Sequence, residues 1–256
     1  MKFGGGILDG SECFHRIADL VELKAKSYGK ICVVLSAMRG VTNHLIALAN
    51  SVCSTPPSRE MDMLVSVGER VSISLLAMAL HERGIEAVSF TGSQTGVITT
   101  ADHGDAKIID VRPSRLLPHL ELGKIVIVAG FQGMSEAREI TTLGRGGSDT
   151  TAVALGVALG AERVLFYKDV AGVCAHDPKV TAGTTVFDRL TYAKAISIVE
   201  QTGGVLHKRA IELAEKNALM LQVSPFWEDH QEGTLIGTKV ENKERVYELS
   251  AHFNTI

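Results

Sequence analysis

Short apolar runs rich in β-branched residues alternate along this chain with longer segments of helical periodicity. The run KICVVLSA, residues 30–37, is continuous, which is typical of a strand buried on both faces of a parallel sheet. Further strands are predicted at residues 86–90, 124–130, 163–170 and 219–226. Helices are predicted at residues 61–84, 148–161, 191–204 and 206–217. The alternation predicts an α/β fold with a mainly parallel sheet covered by helices.

The remaining segments carry weaker patterns. Residues 93–118 and 171–190 are predicted to hold loops or small hairpins. The charged segment after Gly237 is predicted to be a terminal appendage. The length of 256 residues suggests one large domain or two closely packed lobes.

The composition argues against several classes of protein. Of the residues, 45% are hydrophobic and 21% charged, and the formal net charge is −3, which is ordinary for a globular protein. The chain has no basic stretch that could neutralise nucleic-acid phosphates. No apolar run reaches the roughly 18 residues of a membrane span, and Met1 precedes KFGGG rather than a signal peptide. The four scattered cysteines are expected to be reduced thiols of a cytoplasmic protein, without a zinc site or a disulfide frame.

The stretch TTLGRGGSD, residues 141–149, is the first candidate for ligand binding because it directly precedes a predicted helix. Its glycines let the backbone approach a ligand, and the helix N-terminus offers free N–H groups with a partial positive charge. Arg145 adds a bidentate clamp for a carboxylate or a phosphate. Ser148 or Asp149 could cap the helix. For this segment alone, a plain glycine-rich turn with such a cap is the structural alternative.

Other polar segments are expected near it, since ligands of such sheets gather outside the carboxyl ends of the strands. KFGGG, residues 2–6, is a second glycine-rich turn with a lysine before it. SAMRGVTN follows the strand at 30–37 and offers the hydroxyl groups of Ser36 and Thr42. Glu69 lies inside a mostly apolar helix, where an unpaired buried carboxylate would be costly. A solvated helix face is the alternative for Glu69.

These segments together resemble the catalytic domain of aspartate kinases, within the amino acid kinase superfamily. The matching stretches follow the order of the family between residues 2 and 237: KFGGG, VVLSAMRGVTN, SVGERVSISLLAMAL, VAGFQG, TTLGRGGSDTTAVALGVALGA, KDVAGVCAHDP, VLHKRAIELA and GTLIG. The resemblance implies a three-layer αβα sandwich with a mainly parallel eight-stranded sheet. It implies a catalytic domain at residues 1–240, with an amino-acid lobe over about 1–160 and an ATP lobe over about 161–240, followed by the appendage at 241–256.

The resemblance also implies a reaction: transfer of the γ-phosphoryl group of ATP, with Mg²⁺ as cofactor, to the side-chain carboxylate of L-aspartate. Lys2 would stabilise the transferring group, and Asp149 would orient that lysine. The implied amino-acid site is Ser36, Thr42, Glu69, Phe131, Arg145 and Ser148. The implied nucleotide site is Gly4, Gly5, Gly6, Lys168, Asp169, Asp177, Pro178 and Lys179. No residue is assigned to a metal held by the protein alone.

Partners and setting follow from the same resemblance. The small-molecule partners are the amino acid and ATP, and neither nucleic acid nor a membrane is expected. A homodimer is compatible with the fold. The implied setting is the cytoplasmic synthesis of lysine, threonine and methionine. His207 is interpreted as a residue at the start of a helix.

Two departures from the family pattern concern the phosphate-binding segments. The usual K-F-G-G-T-S is KFGGGI here, so hydroxyl groups are missing at Gly6 and Ile7. Gly204 stands where the family has a lysine that faces the ATP phosphates. Lys168 or Lys208 could supply that charge.

Two more departures concern the ends of the chain. Lys2 directly follows the first residue, so it is expected to be held loosely, unless the natural start lies upstream. The chain stops shortly after GTLIG, so feedback control through regulatory ACT domains is not expected.

The departures leave three hypotheses. The favoured one is an aspartate kinase without ACT domains, because the implied amino-acid site is intact. The second is a kinase of the same superfamily acting on a different small acid or amino acid. The third is a non-catalytic homologue that binds nucleotide or amino acid.

Overall fold

The structure is a computed structural model, and it describes residues 1–175, 184–202, 205–227, 233–237 and 247–248. The strands of the described part are β1 Lys2–Phe3, β2 Cys32–Leu35, β3 Ala87–Phe90, β4 Val97–Thr99, β5 Ile108–Val111, β6 Ile125–Ala129, β7 Gln132–Ser135, β8 Ile140–Thr142, β9 Arg163–Lys168, β10 Arg189–Leu190, β11 Met220–Pro225 and β12 Thr234–Ile236. Its α-helices are α1 Glu12–Ala25, α2 Val41–Val52, α3 Ser58–Val65, α4 Val67–Glu82, α5 Leu117–Glu121, α6 Gly147–Leu159, α7 Tyr192–Thr202 and α8 Lys208–Lys216.

The larger sheet confirms the predicted architecture. Its eight strands have the order β10-β12-β11-β9-β1-β2-β6-β3. Neighbouring strands pair in parallel, except that β11 and β12 are antiparallel. The five strands predicted from apolar runs are all present, each somewhat shorter than predicted. The predicted helices at 148–161, 191–204 and 206–217 correspond to α6, α7 and α8.

Helices cover both faces of this sheet. Val33 and Leu35 of β2 pack in one core with α1 and α4, whereas Val34 packs in the other core with α6 and α8. This alternation follows from the two-residue period of a strand. The arrangement is the three-layer αβα sandwich that the resemblance implies.

The short strand β1 lies in the middle of the sheet. Lys2 is in register with Val34 of β2 on one side and with Phe166 of β9 on the other. The Val34 N–H donates to the Met1 carbonyl oxygen at 2.8 Å. The expectation that Lys2 is held loosely is therefore wrong: pairing on both sides fixes its backbone, and only 4% of the residue is exposed.

The helix predicted over residues 61–84 is divided into α3 and α4, which meet at Ser66. The Ser66 carbonyl oxygen accepts a hydrogen bond from the Gln132 side chain at 2.8 Å, and the Ser66 hydroxyl donates to the Met63 carbonyl. Side-chain hydrogen bonds of this kind are a known cause of helix bends. Gly84 follows α4 in the left-handed conformation, as predicted for the helix end.

The segment Ser58–Glu82, which spans α3 and α4, is long and apolar enough to cross a membrane by length and composition alone. It is not an uninterrupted apolar run of the kind considered in the sequence analysis, because Glu69 and Arg70 lie inside it. Half of its apolar window is buried inside the protein. Asp62 and Glu69, both buried, belong to this segment. We interpret it as a pair of core helices.

The segments predicted to hold loops or small hairpins contain short paired strands. Residues 93–118 include the antiparallel pair β4 and β5, which joins β7 and β8 in a second sheet of order β5-β4-β7-β8 that was not predicted. Cys174 and Val186 form an isolated bridge within 171–190. The helices α1 and α2 were not predicted, although α1 has the periodic apolar positions of an amphipathic helix.

The division into two lobes stays a prediction. Strand β1 pairs with β9, so the sheet continues across the expected boundary at residues 160 and 161. Within the expected appendage at 241–256, only residues 247–248 belong to the described part.

A substitution in β6 tests the assignment of the core. Ile127→Ala removes a fully buried side chain from the sheet, so the free energy of unfolding should fall by about 2–5 kcal/mol. Leu122→Ala is the matched control, because Leu122 is 71% exposed; its effect should stay within about 0.5 kcal/mol. Urea unfolding followed by circular dichroism measures both. Equal effects would contradict this core.

Candidate active site

One cavity of about 630 Å³ lies at the carboxyl ends of β1, β2, β6 and β8. Both glycine-rich segments, residues 2–6 and 144–149, contribute to its wall. The implied residues that line it are Lys2, Gly5, Gly6, Ser36, Thr42, Glu69, Phe131, Arg145, Ser148 and Asp149. The structure therefore brings the whole implied amino-acid site together around one cavity, as the resemblance requires.

Two lysines converge on a buried carboxylate in the floor of this cavity. The Lys2 Nζ lies 2.6 Å from Asp149 Oδ1, and the Lys168 Nζ lies 3.6 Å from Asp149 Oδ2. Burial lowers the pKa of Lys2 to about 8, although Asp149 opposes this shift. Burial raises the pKa of Asp149, but Lys2 and Lys168 outweigh it and hold this pKa at about 2. Asp149 is therefore ionised at neutral pH and is suited to orient lysines, not to act as a base.

The glycine-rich turn after β1 allows the two ammonium groups to lie close to the backbone. A Cβ atom on Gly4 would lie 3.0 Å from Lys2 Nζ and 3.7 Å from Lys168 Nζ. A Cβ atom on Gly6 would lie 3.9 Å from Asp169 Oδ1. Residues 4–6 thus form a surface without side chains beside two cations and a carboxylate. Such a surface is suited to a phosphate chain.

Only some of the remaining residues of the implied nucleotide site belong to the described part of the chain. Lys168 and Asp169 stand at the end of β9 beside the glycine-rich turn. Asp177, Pro178 and Lys179 lie outside the described residues, and so does Gly204. Lys208 is bound to two glutamates, with its Nζ near Glu200 and 3.6 Å from Glu212. Of the two lysines considered for the missing charge, it is Lys168 that lies beside Asp149 and the glycine-rich turn.

Glu69 is buried and points into the site, which excludes the solvated-face alternative. Only 3% of the residue is exposed, and its Oε1 accepts a hydrogen bond from the Ala37 N–H at 3.0 Å. Within the described part of the chain, Oε2 has no hydrogen-bond partner. Burial raises the pKa of Glu69 to about 7, although nearby Lys2 pulls it down. A buried carboxylate with an open oxygen is suited to accept an ammonium group.

The hydroxyl-bearing loop after β2 is fixed by backbone contacts. The Ser36 N–H donates to the Phe3 carbonyl at 3.2 Å. Thr42 lies in the first turn of α2, which begins after Gly40 in the left-handed conformation. Thr42 is therefore a helix residue and not a loop residue, and the helix N-terminus faces the cavity.

The segment 144–149 is shaped by backbone geometry and not by a helix cap. Gly144 and Gly146 have φ values of 69° and 72°, which favour glycine. The predicted cap by Ser148 or Asp149 is wrong: α6 begins at Gly147, its first turn has no side-chain cap, and Asp149 is held by the lysines. Arg145 is exposed at the wall of the cavity, where its guanidinium can meet an anion.

Phe131 has an unusual backbone conformation beside the cavity. Its φ is 68°, a left-handed value that is costly for a bulky residue. Its N–H donates to Thr151 Oγ1 at 3.1 Å, and its carbonyl oxygen accepts from the Leu143 N–H at 2.9 Å. These two bonds maintain the conformation, and they hold Leu143 and Gly147 close to Phe131.

Several cavity residues were not singled out from the sequence. Arg39, Asn43 and Ile46 line the wall, and the Arg39 guanidinium donates to the Gly6 carbonyl oxygen. His207 begins α8, as interpreted, but its backbone N–H also donates to Asp149 Oδ2 at 3.3 Å. Arg39 lies within the quoted motif SAMRGVTN and could have been found there. His207 could not have been found from the sequence, because its backbone N–H and not its side chain donates to Asp149.

Comparison with known proteins adds relatives of this chain. Residues 1–223 match the amino acid kinase family. Aspartokinase 2 of Bacillus subtilis is 46% identical over 235 residues, covering 92% of this chain and 57% of the relative. The aspartokinase of Mycobacterium tuberculosis is 43% identical over 238 residues, covering 93% and 56%. The chain thus spans somewhat more than half the length of these relatives.

Solved structures agree with the fold. Aspartate kinase from Synechocystis superposes with a TM-score of 0.84 at 39% identity, covering 94% of this chain and 40% of that one. E. coli aspartokinase III in complex with aspartate and ADP gives a TM-score of 0.84 at 28% identity, covering 94% and 64%.

The pKa of Glu69 gives a pH-dependent prediction. Because this pKa is raised in the folded protein, the stability that the protonated group contributes is present below pH 4.5 and lost as pH rises through about 7. The glutamine of Glu69→Gln does not ionise, so this variant does not lose that stability as the pH rises. The unfolding free energy of the variant minus that of the wild type should therefore be about 1–3 kcal/mol larger at pH 8 than at pH 5.

Denaturant unfolding at both pH values measures this difference. Glu136→Gln is the control, since Glu136 is exposed; it should show no such gain. A constant offset between Glu69→Gln and the wild type at the two pH values would show that Glu69 does not titrate in this range.

Proposed function

Since the chain belongs to the amino acid kinase family, we propose that it transfers the γ-phosphoryl group of ATP to the side-chain carboxylate of L-aspartate, giving 4-phospho-L-aspartate. The observation that carries the proposal is the shared cavity of the two glycine-rich segments. One segment offers backbone and ammonium groups suited to phosphates, and the other offers Arg145 in the wall of the cavity that Glu69 also lines.

The acceptor is recognised at both ends. Arg145 binds one carboxylate of aspartate, and Glu69 receives the α-ammonium group on its open Oε2. Ser36, Thr42 and Ser148 donate or accept hydrogen bonds at the wall, and Phe131 limits its shape. A ligand ammonium beside Glu69 also stabilises the ionised carboxylate, so acceptor binding releases a proton near neutral pH.

The phosphoryl transfer needs no activated side chain, because the attacking carboxylate is already anionic. One of its oxygens attacks the γ-phosphorus, the bond from that phosphorus to the bridging oxygen breaks, and the electron pair leaves on ADP. Lys2 and Lys168 stabilise the negative charge that spreads over the γ-phosphoryl oxygens. Asp149 holds Lys2 in place.

Mg²⁺ fits this site as a companion of the nucleotide. Among the described residues, no group of three or more His, Cys, Asp or Glu side chains could form a metal cage by itself. Mg²⁺ commonly binds through one or two carboxylates together with substrate phosphates. Asp169, beside Gly6, is the carboxylate placed to hold it. When bound there, Mg²⁺ would neutralise charge on the phosphate chain.

A second candidate acceptor is a different small acid that carries more negative charge than aspartate. The observation that favours it is Arg39, a second guanidinium in the cavity wall. The change at residue 7 does not favour it, because the Ile7 side chain is 3% exposed and belongs to the core with α1 and α4. The cavity residue Arg39 and the departure at Gly6 are therefore the two features that bear on the acceptor.

The proposal extends to a cytoplasmic homodimer. An apolar stripe on the outer face of α4 supports the dimer: Val67, Val71, Leu75 and Met78 are 36–66% exposed and recur every three or four residues. Exposed apolar stripes of this kind are typical of subunit interfaces. Val71→Glu should therefore convert a dimer into a monomer in light scattering, whereas Val52→Glu on α2 should leave the mass unchanged. A wild-type monomer would contradict the dimer.

Activity with a panel of acids tests the function. ADP release is coupled to a second enzyme, and the acyl phosphate is trapped as a hydroxamate with hydroxylamine. L-aspartate should give both signals, and Arg145→Gln should lower kcat/KM by about 10²–10³. Arg115→Gln, at an exposed arginine outside the cavity, is the control and should match the wild type.

Each alternative gives a different result in this assay. Turnover of another acid, with none of aspartate, would establish the second candidate. Nucleotide binding by calorimetry with no turnover of any acid would establish the non-catalytic hypothesis.

A further inference from the structure

We infer that Arg209, outside the cavity, is a positioning residue that holds Arg145 in place for the acceptor. This role rests on the proposed function, since it concerns recognition of the acceptor carboxylate. Arg209 is the second residue of α8 and does not line the cavity.

Arg209 binds the backbone directly before Arg145. Its Nη1 donates to the Leu143 carbonyl oxygen at 2.6 Å and to Asp105 Oδ1 at 3.0 Å. Its Nη2 donates to the Ala106 carbonyl oxygen at 3.1 Å. Its Nε donates to Glu248 Oε1 at 2.8 Å. One guanidinium thus joins three segments that are distant in sequence, and only 17% of the side chain is exposed.

The residues between this contact and Arg145 have little room to move. The Leu143 N–H donates to the Phe131 carbonyl at 2.9 Å, so both peptide groups of Leu143 are bound. A Cβ atom on Gly144 would lie 2.8 Å from Asp105 Oδ1, so this turn packs directly against the segment that Arg209 holds. The Arg145 side chain itself makes no hydrogen bond or ion pair with the described residues. Its position therefore depends on the backbone that precedes it.

The acceptor side and the phosphate side of the site meet at the start of α8, but through different residues. The His207 N–H contacts Asp149, and the His207 ring packs against Gly146, where a Cβ atom would lie 2.0 Å from Cγ. Arg209 contacts Leu143 and the segment at Asp105 and Ala106. A substitution of Arg209 should therefore disturb Arg145 more than Asp149 and the lysines that Asp149 holds.

The chemistry of this position requires a guanidinium. Its planar fork can donate to two carbonyl oxygens and two carboxylates at once, and an ammonium on a flexible stem cannot reproduce that geometry. Glu248 fixes the orientation of the fork, because its other oxygen accepts the Ile108 N–H at 2.7 Å. Glu248, which does not line the cavity, therefore supports Arg209 through this contact.

Steady-state kinetics of Arg209→Gln and Arg209→Lys, in the full chain, test this role. A small misplacement of a substrate-binding group can lower activity on the order of 10- to 100-fold. We expect KM for L-aspartate to rise by such a factor in Arg209→Gln, while KM for ATP changes less than about twofold. Arg209→Lys should lie between this variant and the wild type. Glu248→Gln should shift the aspartate KM in the same direction by a smaller factor.

Two controls separate positioning from general damage. Lys216→Gln changes an exposed cation at the other end of α8 and should leave both KM values unchanged. In Arg209→Ala, added ethylguanidinium should restore the aspartate KM in part, because the free cation can occupy the vacated site. A merely structural role would not give this rescue together with a selective change in KM.

The outcomes are distinct. Equal rises of both KM values, with a lower melting temperature and no rescue, would overturn the positioning role, and so would kinetics unchanged from the wild type. If the wild type turns over another acid instead of aspartate, the proposed acceptor is wrong, and the same comparison is made with that acid. If it turns over none, calorimetric affinity for aspartate replaces KM, and unchanged affinity in Arg209→Gln overturns the inference.

Discussion

The contact between Lys2 and Asp149 is the constraint on which the rest of the site depends. Both groups are buried, and Lys168 brings a second positive charge to the same carboxylate. Buried ion pairs of this kind contribute little to stability after the cost of removing the charges from water. Within this cluster of three side chains, two cations face one anion, which leaves one positive charge uncompensated by Asp149. The arrangement is suited to binding an anion, and the fold supports it with a lysine in the centre of the sheet.

The surrounding structure explains how such a cluster is maintained. Strand β1 has only two residues, yet β2 and β9 pair with it on both sides, so the Lys2 backbone is fixed. Gly4 leaves room for the ammonium groups, and α6 presents Asp149 from its first turn. On the proposed acceptor side, the Ala37 N–H holds the Glu69 carboxylate, and Phe131 and Arg209 hold the backbone of Leu143 before Arg145. The buried charged groups Lys2, Asp149 and Glu69 are therefore arranged before any ligand arrives, which is what electrostatic catalysis requires.

Much of the fold was predictable from local sequence. Apolar β-branched runs identified β2, β6 and β9 because strands buried on both faces have a strong pattern. The two-residue strand β1 has no such pattern, because pairing with β2 and β9 and not its own sequence fixes its backbone. The implied acceptor residues came from a motif resemblance, and the cavity brings them together. Contacts that join distant segments could not be predicted: Arg209 and Leu143 are 66 residues apart, and the backbone contact of His207 leaves no mark in the sequence. The supposed cap at Asp149 was wrong for the same reason, because a distant lysine competes for its carboxylate.

The most direct test of the central claim is the ionisation of Lys2, measured by nuclear magnetic resonance on protein with ¹⁵N-labelled lysine side chains. The Lys2→Arg variant assigns the signal. The buried cluster predicts a lysine that titrates near pH 8, well below an ordinary lysine, and a further fall of this pKa in Asp149→Asn. If every lysine titrates near 10.5 and Asp149→Asn changes none of them, Lys2 is exposed to solvent and the account of the site is wrong.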